Sequence, residues 1–214
     1  MCQPEPVRIL ALDVDGVLLD PDRGGAGHWT VEMERSFGLT RPQFRDAFFM
    51  RSWDDVVNGR RSVEDGVGAA LADLSADVDV EEFLSVWFEA DFVPIDEAIE
   101  VARRAGDSGC SVVLATNQEH RRAAFLRERL GAVMPIDDVL YSADLGVQKH
   151  EPAFFELASA RLGVATDQRD DVVFVDDAVH NVDQARGAGW RAVHAEPGVP
   201  ARTWITQVER LLDL

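Results

Sequence analysis

Short apolar runs alternate with amphipathic stretches along most of the chain. The first run covers residues 7–13 and ends at Asp13, and further runs cover residues 111–115, 139–141 and 172–175, with a fifth candidate at 191–194. Unbroken apolar runs of this length are typical of parallel strands that helices bury on both faces. We therefore predict a parallel sheet whose strands end at polar residues.

Amphipathic segments with a helical period lie between and after these runs. They cover residues 95–105, 119–130, 152–162, 178–188 and 204–212, about the lengths that crossovers between parallel strands require. Alternation of strand and helix predicts an α/β fold with a Rossmann-like parallel sheet as its core.

Residues 20–94 have a different pattern. Helical periodicity recurs over residues 31–37, 42–49, 63–74 and 80–92, no comparable apolar strand is present, and glycine-rich residues 24–27 interrupt the segment. We predict a small all-helical cap domain at 20–94, inserted into a discontinuous core domain formed by 1–19 and 95–214. Residues 24–27 are predicted to form a hinge or connecting loop.

Charge and cysteine content narrow the function classes. The chain carries 39 acidic against 21 basic residues, a formal charge of −18, so we expect no nucleic-acid and no membrane partner. A phosphorylated substrate would need a local cation or metal to enter such a protein. Two cysteines build no disulfide framework, and the sequence starts without a signal-peptide pattern, so a cytoplasmic location is predicted.

Polar residues follow the apolar runs at the points where the predicted strands end. Because ligands of open parallel sheets bind outside the carboxyl ends of the strands, these residues are expected to converge on one edge. They are Asp13, Asp15, Thr116, Asn117, Asp176 and Asp177. Crowded carboxylates repel one another, and a hard divalent cation such as Mg²⁺ relieves that repulsion.

Four motifs in this order resemble those of the haloacid dehalogenase-like superfamily. They are the sequence DVDGV from Asp13, the pair Thr116 and Asn117, the single residue Lys149, and the pair Asp176 and Asp177 followed by Asn181. The resemblance covers nearly the whole chain and implies a phosphatase-type member, with a helical cap inserted after the first motif.

The resemblance assigns a role to each matched residue. It implies that Asp13 is the nucleophile and that Asp15 protonates the leaving oxygen, then takes a proton from water. It also implies that Asp13, the Asp15 carbonyl, Asp176 and Asp177 hold Mg²⁺; which of the last two touches the metal stays open. Thr116, Asn117 and Lys149 are expected to bind the phosphoryl group.

Lys149 is singular because it is the only lysine in the chain. A compact ammonium can neutralise a phosphoryl oxygen and the Asp13 carboxylate without the planar geometry of arginine. The family pattern usually continues with proline and an acid, whereas here His150 and Glu151 precede Pro152. Either the loop runs differently or Pro152 starts the next helix at its first position.

Several readings remain beside hydrolysis of a small phosphorylated metabolite. Dehalogenation is disfavoured because a halide leaving group needs no acid, and family members with that activity lack the second aspartate that is present here as Asp15. Phosphonate cleavage is disfavoured because in this superfamily it uses a cap lysine that forms a Schiff base, and the predicted cap has no lysine. A sugar-phosphate mutase and a non-catalytic phospho-ligand-binding protein stay open, as does the choice between monomer and homodimer. A scaffold protein would need a large exposed apolar patch, for which the sequence gives no evidence. In the cap, Arg51, Trp53 and Arg60 are candidates for residues that face the pocket.

Overall fold

The protein is described by a computed structural model that covers residues 8–20 and 28–214. Val7 at the start of the first predicted strand and the predicted connecting loop at 24–27 lie outside these residues. Five parallel strands form one sheet in the order β3-β2-β1-β4-β5, which confirms the predicted α/β class. The strands are β1 Ile9–Leu12, β2 Ser111–Thr116, β3 Asp138–Tyr141, β4 Val172–Asp176 and β5 Arg191–His194.

The register of the sheet brings strand ends together. Leu12 at the end of β1 pairs with Leu114 of β2 on one side and with Val175 of β4 on the other. Since β1 is the central strand, the residues that follow it lie between those that follow β2 and β4. The edge at the carboxyl ends is thus the place where the distant motifs can meet.

Helices cover both faces of the sheet because successive strand side chains point to opposite sides. Leu10 and Leu12 belong to one hydrophobic cluster with Val101, Leu126 and Val208. Ile9 and Ala11 belong to another, together with Phe154, Phe155 and Trp190. The helices of this core are α6 Asp96–Asp107, α7 His120–Gly131, α8 Ser142–Leu145, α9 Pro152–Arg161, α10 Val179–Gly187 and α11 Arg202–Leu212, with a 3₁₀ helix at Thr166–Asp171.

Residues 28–92 are helical and contain no strand. Fourteen buried residues, among them Phe44, Phe48, Phe83 and Trp87, form a hydrophobic cluster of their own. The elements are α1 His28–Phe37, α2 Arg41–Phe44, a π helix at Arg45–Phe49, α3 Trp53–Val57, α4 Val63–Asp73 and α5 Val80–Ala90. The domain bounds at residues 19/20 and 94/95 stay a prediction, which this separate cluster supports.

The two chain crossings between the helical segment and the sheet run side by side. The Asp20 N–H donates to the Val93 carbonyl and the Ile95 N–H donates to the Leu18 carbonyl, each at 2.9 Å. This pairing anchors the helical segment next to the loop that follows β1. Among the described residues, no helix has the length and apolar character needed to cross a membrane.

The predicted helices agree with the observed ones except where short elements are involved. The periodic stretch at 42–49 is split into α2 and the π helix, and the short helices α3 and α8 were not predicted. Four or five residues are too few to show a helical period. Pro152 does occupy the first turn of α9, so the proline that departs from the family pattern begins this helix.

Candidate active site

Asp13 lies at the centre of the edge where β1 ends. Its N–H continues the sheet by donating to the Val175 carbonyl at 2.9 Å. The residue is 6% exposed, and its carboxylate accepts a 2.7 Å hydrogen bond from the Val14 N–H. A carboxylate in this position is held by the backbone and faces the space beyond the strand ends.

Lys149 joins Asp13 to Asp176. The Lys149 ammonium lies 2.7 Å from Asp13 Oδ1 and 2.7 Å from Asp176 Oδ2, and only 2% of the side chain is exposed. Burial by itself lowers the pKa of Lys149, but the carboxylates of Asp13 and Asp176 raise it above its ordinary value. The only lysine of the chain is therefore a buried cation between two acids from β1 and β4.

Asp176, fully buried at the end of β4, is held by two groups besides Lys149. The Ala178 N–H donates to Oδ1 at 2.8 Å, and Asn181 Nδ2 lies 3.1 and 3.2 Å from the two carboxylate oxygens. Asn181 is placed in the first turn of α10, five residues after Asp176. These contacts fix the rotamer of Asp176 and orient its oxygens toward the strand-end edge.

Three carboxylates at this edge form a possible cation site. One oxygen from each of Asp13, Asp176 and Asp177 lies within 4.8 Å of the others. Burial raises the pKa of Asp13 to about 8, because the lowering by Lys149 is smaller than the raising by burial and by Asp176. Burial and the charge of Asp176 likewise raise the pKa of Asp177. Three ionised carboxylates are thus more negative charge than Lys149 alone can balance, and without a bound cation the raised pKa values favour the protonated forms.

The loop after β1 is shaped around these carboxylates. Gly16 has φ +82°, and a Cβ at this position would lie 2.5 Å from Asp177 Oδ2. Only glycine combines this backbone conformation with so close an approach. The oxygen-rich donor set and the space kept for it fit a hard cation of the Mg²⁺ type.

Asp15 has partners that sequence reasoning missed. Arg122 contacts both Asp15 oxygens, at 2.8 and 3.1 Å, and Gln118 Nε2 donates to Asp15 Oδ2 at 2.7 Å. Asp15 is therefore held by Gln118 and by Arg122 of α7, while its charge still acts on Asp13 and Asp177. Gln118 directly follows the Thr116 and Asn117 pair, a hint in the sequence, whereas Arg122 has the pattern of an ordinary helix-surface arginine.

Thr116 and Asn117 lie at the end of β2, on the same edge. Asn117 Oδ1 accepts a 2.9 Å hydrogen bond from the Lys149 N–H, so Asn117 holds the loop that carries the lysine. Glu119 is the N-cap of α7, accepting from the Arg121 and Arg122 N–H groups. Thr116 is therefore buried beside the site rather than used as a helix cap.

The three cap residues singled out in the sequence have partners within the helical segment. Arg51 forms an ion pair with Asp73, Arg60 pairs with Asp54 and Asp55, and Trp53 packs against the aromatic cluster. A closer link between this segment and the site edge is made by Ser142 of α8, whose hydroxyl donates to the Val57 carbonyl at 2.7 Å.

Acids, one lysine and a candidate cation site thus lie together at the strand ends of an α/β fold. The sequence model of the haloacid dehalogenase-like hydrolases matches residues 7–189, and the chain belongs to this family of hydrolases. It is 33% identical over 216 residues to enolase-phosphatase E1 of Streptomyces avermitilis, covering 88% of this chain and 87% of the relative.

Solved structures agree with the fold. A predicted HAD-like hydrolase from Porphyromonas gingivalis superposes with a TM-score of 0.75 at 17% identity, over 98% of this chain and 99% of that one. A HAD family enzyme from Bacteroides thetaiotaomicron, in complex with magnesium and inorganic phosphate, has a TM-score of 0.72 at 15% identity, covering 91% and 96%. A dehalogenase has a TM-score of 0.65 at 18% identity, over 98% of both chains.

Proposed function

We propose that the protein is a Mg²⁺-dependent phosphatase that hydrolyses a small phosphomonoester, such as a sugar phosphate, through an aspartyl-phosphate on Asp13. The observation that carries the proposal is the buried ammonium of Lys149, 2.7 Å from the carboxylates of both Asp13 and Asp176. A cation held at the nucleophile can offset charge on a phosphoryl group. The proposal includes a cytoplasmic location; a monomer and a homodimer are both compatible with it.

Two steps follow for the residues of the site. An Asp13 oxygen attacks phosphorus while the bond from phosphorus to the ester oxygen breaks, and Asp15 gives the leaving oxygen its proton. Water then attacks phosphorus, Asp15 takes the proton from that water, and the bond to Asp13 breaks. Free phosphate, the alcohol and the original carboxylate are the products, so atoms and charge balance.

Thr116, Asn117 and Lys149 bind the phosphoryl group in this proposal. Thr116 lies at the end of β2, next to the Asp13 edge, and the Asn117 side chain holds the Lys149 backbone at 2.9 Å. Substitution of Asn117 is thus expected to act on phosphate binding through the lysine loop as well as directly.

Mg²⁺ is the cofactor in this proposal, held by Asp13, the Asp15 main-chain carbonyl, Asp176 and Asp177. The donor set is hard oxygen, and the spacing of the carboxylates within 4.8 Å supports it. Bound there, Mg²⁺ supplies positive charge that stabilises the phosphoryl oxygens and favours the ionised form of Asp13. The magnesium and phosphate in the Bacteroides thetaiotaomicron enzyme, and the name of the Streptomyces relative, support the same choice.

A metabolite panel with Mg²⁺ tests the proposal most directly. We expect phosphate release from one class of small phosphomonoesters, removed by chelation and lowered by at least about 10⁴-fold in Asp13→Asn. Asp73→Asn, the same substitution at an exposed ion pair of the helical segment, is the matched control and is expected to keep turnover. Turnover that persists in Asp13→Asn, or in chelator, would contradict the mechanism.

The same panel separates the other functions. A mutase would convert one sugar phosphate into its isomer without release of phosphate. A protein that only binds phosphorylated ligands would be stabilised by beryllofluoride or phosphate while turning over nothing. Halide release from a haloacid would point to the dehalogenase structures, whose likeness to this chain is one of fold.

A further inference from the structure

Arg122 connects the loop after β1 with the end of the helical segment. Its guanidinium forks onto the two oxygens of Asp15 and also lies 2.7 Å from Asp91 Oδ2. The arginine side chain is 9% exposed and that of Asp91 is 6% exposed, so this contact is shielded from water, whereas the Asp15 side chain is 35% exposed. One buried cation is therefore shared by two acids from different parts of the chain.

Asp91 lies where a movement of the helical segment would displace it. It is the C-cap of α5, the last helix of the segment, and Val93 two residues later pairs with Asp20 of the other crossing. Asp15 lies on the loop that leads to that first crossing. The Arg122 guanidinium thus links Asp91, at the end of the helical segment, with Asp15, on the loop that leads into it.

Other arginines of α7 also contact the helical segment, but they do not reach the site. Arg121 pairs with Glu64 and Glu81, and Arg129 pairs with Glu89. These side chains are 34% and 43% exposed, and within the part of the chain that the structure describes neither contacts Asp15. Arg121 is therefore a matched control for Arg122. It is an arginine of the same helix and contacts the same helical segment, but it does not contact Asp15.

Charge and geometry indicate what Arg122 does for Asp15. A carboxylate that is bonded through both oxygens to a planar guanidinium, with Gln118 on one of them, has little freedom to rotate. Although burial alone lowers the pKa of Arg122, Asp15 and Asp91 raise it, so the guanidinium stays charged. The position of Asp15 is then determined by where Arg122 is held, and Asp91 is one of the groups holding it.

We propose that Arg122 is a positioning residue that sets the place of the Asp15 carboxylate and, through Asp91, makes this place depend on the seating of helices α1 to α5. The inference rests on the proposed function, in which Asp15 transfers the proton. When the helical segment shifts, Asp91 withdraws from Arg122 and Asp15 loses its alignment. Proton transfer is thereby restricted to the arrangement in which the segment is seated.

First-turnover kinetics with two aryl phosphates whose leaving groups differ in basicity test this role. Phenyl phosphate needs a proton on its leaving oxygen, whereas dinitrophenyl phosphate releases a stable anion that does not. We expect Arg122→Met to slow release of phenol by about 10²-fold while release of dinitrophenol stays within about threefold of wild type. Asp91→Asn should give the same pattern with a smaller loss, and Arg122→Lys an intermediate loss.

A double variant shows whether Arg122 acts through Asp15. In an Asp15→Asn background the further change Arg122→Met should leave phenol release unchanged, because its target is already gone. Arg121→Met should leave both rates within about twofold of wild type. Equal losses with both esters in Arg122→Met, or losses that multiply in the double variant, would overturn the inference and indicate a general structural role.

A readout that needs no turnover separates this inference from the proposed function. Crystal structures of wild type and Arg122→Met should differ in the place of the Asp15 carboxylate, and thermal melts should show that both proteins are folded. An Asp15 side chain that keeps its place without the guanidinium overturns the positioning role. Absence of any Mg²⁺-dependent phosphate release by wild type, with Asp15 displaced in the variant, overturns the phosphatase proposal and leaves the positioning intact.

Discussion

The strand-end site and the interior of helices α1 to α5 are both buried, yet they are built from opposite chemistry. The site holds Asp13, Lys149 and Asp176, which are 6%, 2% and 0% exposed. The helical interior holds aromatic rings such as Phe44, Phe48 and Phe83, with centroids 4.9 to 5.1 Å apart in the closest pairs. One region buries charge and the other excludes it.

This difference separates stability from chemistry. Aromatic packing removes apolar surface from water and stabilises the fold. Buried ions lose hydration, and their mutual attraction offsets that loss only while every partner is present. We infer that the helical interior supplies stability, whereas the strand-end site reduces it and is maintained for function.

Replacing Lys149 is expected to damage both properties at once. Lys149→Met leaves Asp13 and Asp176 buried without their shared cation. We expect phosphate release to fall by about 10³-fold and the free energy of unfolding to fall by about 3–5 kcal/mol without metal. Denaturant unfolding with and without Mg²⁺ checks the second part, because the cation should recover some of the loss. An unchanged rate would place Lys149 outside the reaction.

Truncating the aromatic interior is expected to damage stability alone. Phe48 is fully buried and contacts Phe44, Phe49 and Trp87. Phe48→Ala should lower the free energy of unfolding by about 3–5 kcal/mol. Below its melting temperature, first-turnover release of dinitrophenol should stay close to the wild-type rate.

The exposed Met50, two residues further on, provides the control for that experiment. Met50 is 73% exposed, so Met50→Ala should change the free energy of unfolding by less than about 0.5 kcal/mol. A folded Phe48→Ala protein that has lost its first turnover would show that the two regions are not separable.

The same substitution, glycine to alanine, can be compared in the two regions at Gly16 and Gly38. Gly16 and Gly38 have φ of +82° and +67°, but only a Cβ at Gly16 meets another group, Asp177. Each alanine variant should lose about 1–2 kcal/mol through backbone strain. Gly16→Ala should in addition weaken Mg²⁺ binding by about tenfold, measured by calorimetric titration. Equal Mg²⁺ affinity in both variants would remove Asp177 from the cation site.

The smallest expected effect concerns Glu119, the buried N-cap of α7. Burial raises the pKa of Glu119 above its ordinary value of 4.5, although the N–H groups of Arg121 and Arg122 lower it. The folded state therefore holds this proton more tightly than the unfolded chain, and the stability that it contributes is lost as pH rises above about 4.5 through the raised value.

Glu119→Gln removes this titration while an amide oxygen can still accept from the backbone. The melting temperature of the variant relative to wild type should therefore rise with pH, by about a few degrees between pH 5 and pH 8. A difference that is constant over this range, or that falls with pH, would contradict the sign of the shift at Glu119.

Much of the core could be predicted from local pattern. Apolar runs and helical periods identified the strands and the long helices, because burial on both faces of a sheet imposes these patterns residue by residue. The encounter of Asp13 with Asp176 followed from the rule that parallel strands present their carboxyl ends at one edge. The sequence did not predict that β1 lies between β2 and β4, and this strand order is known from the structure.

The distant contacts of Arg122 and of the Asn117 side chain could not be predicted. Arg122 lies 107 positions after Asp15 and directly follows Arg121 in the sequence. Although the local sequence does not distinguish the two arginines, Arg121 pairs with glutamates instead. The assignment of Asn117 to phosphate stays a prediction, and nothing in the sequence indicated that its side chain also holds the backbone of Lys149, 32 positions away. Local pattern carries no information about which of two similar side chains a distant element will meet.

The sequence by itself determined the class of fold, the set of acids and the single lysine, because residue type and spacing are local properties. Tertiary structure alone decided that Lys149 lies between Asp13 and Asp176, and that Arg122 is shared by Asp15 and Asp91. The physical reason is that a buried charge takes whichever partners the packed elements bring within hydrogen-bond distance, and only the folded chain sets those distances.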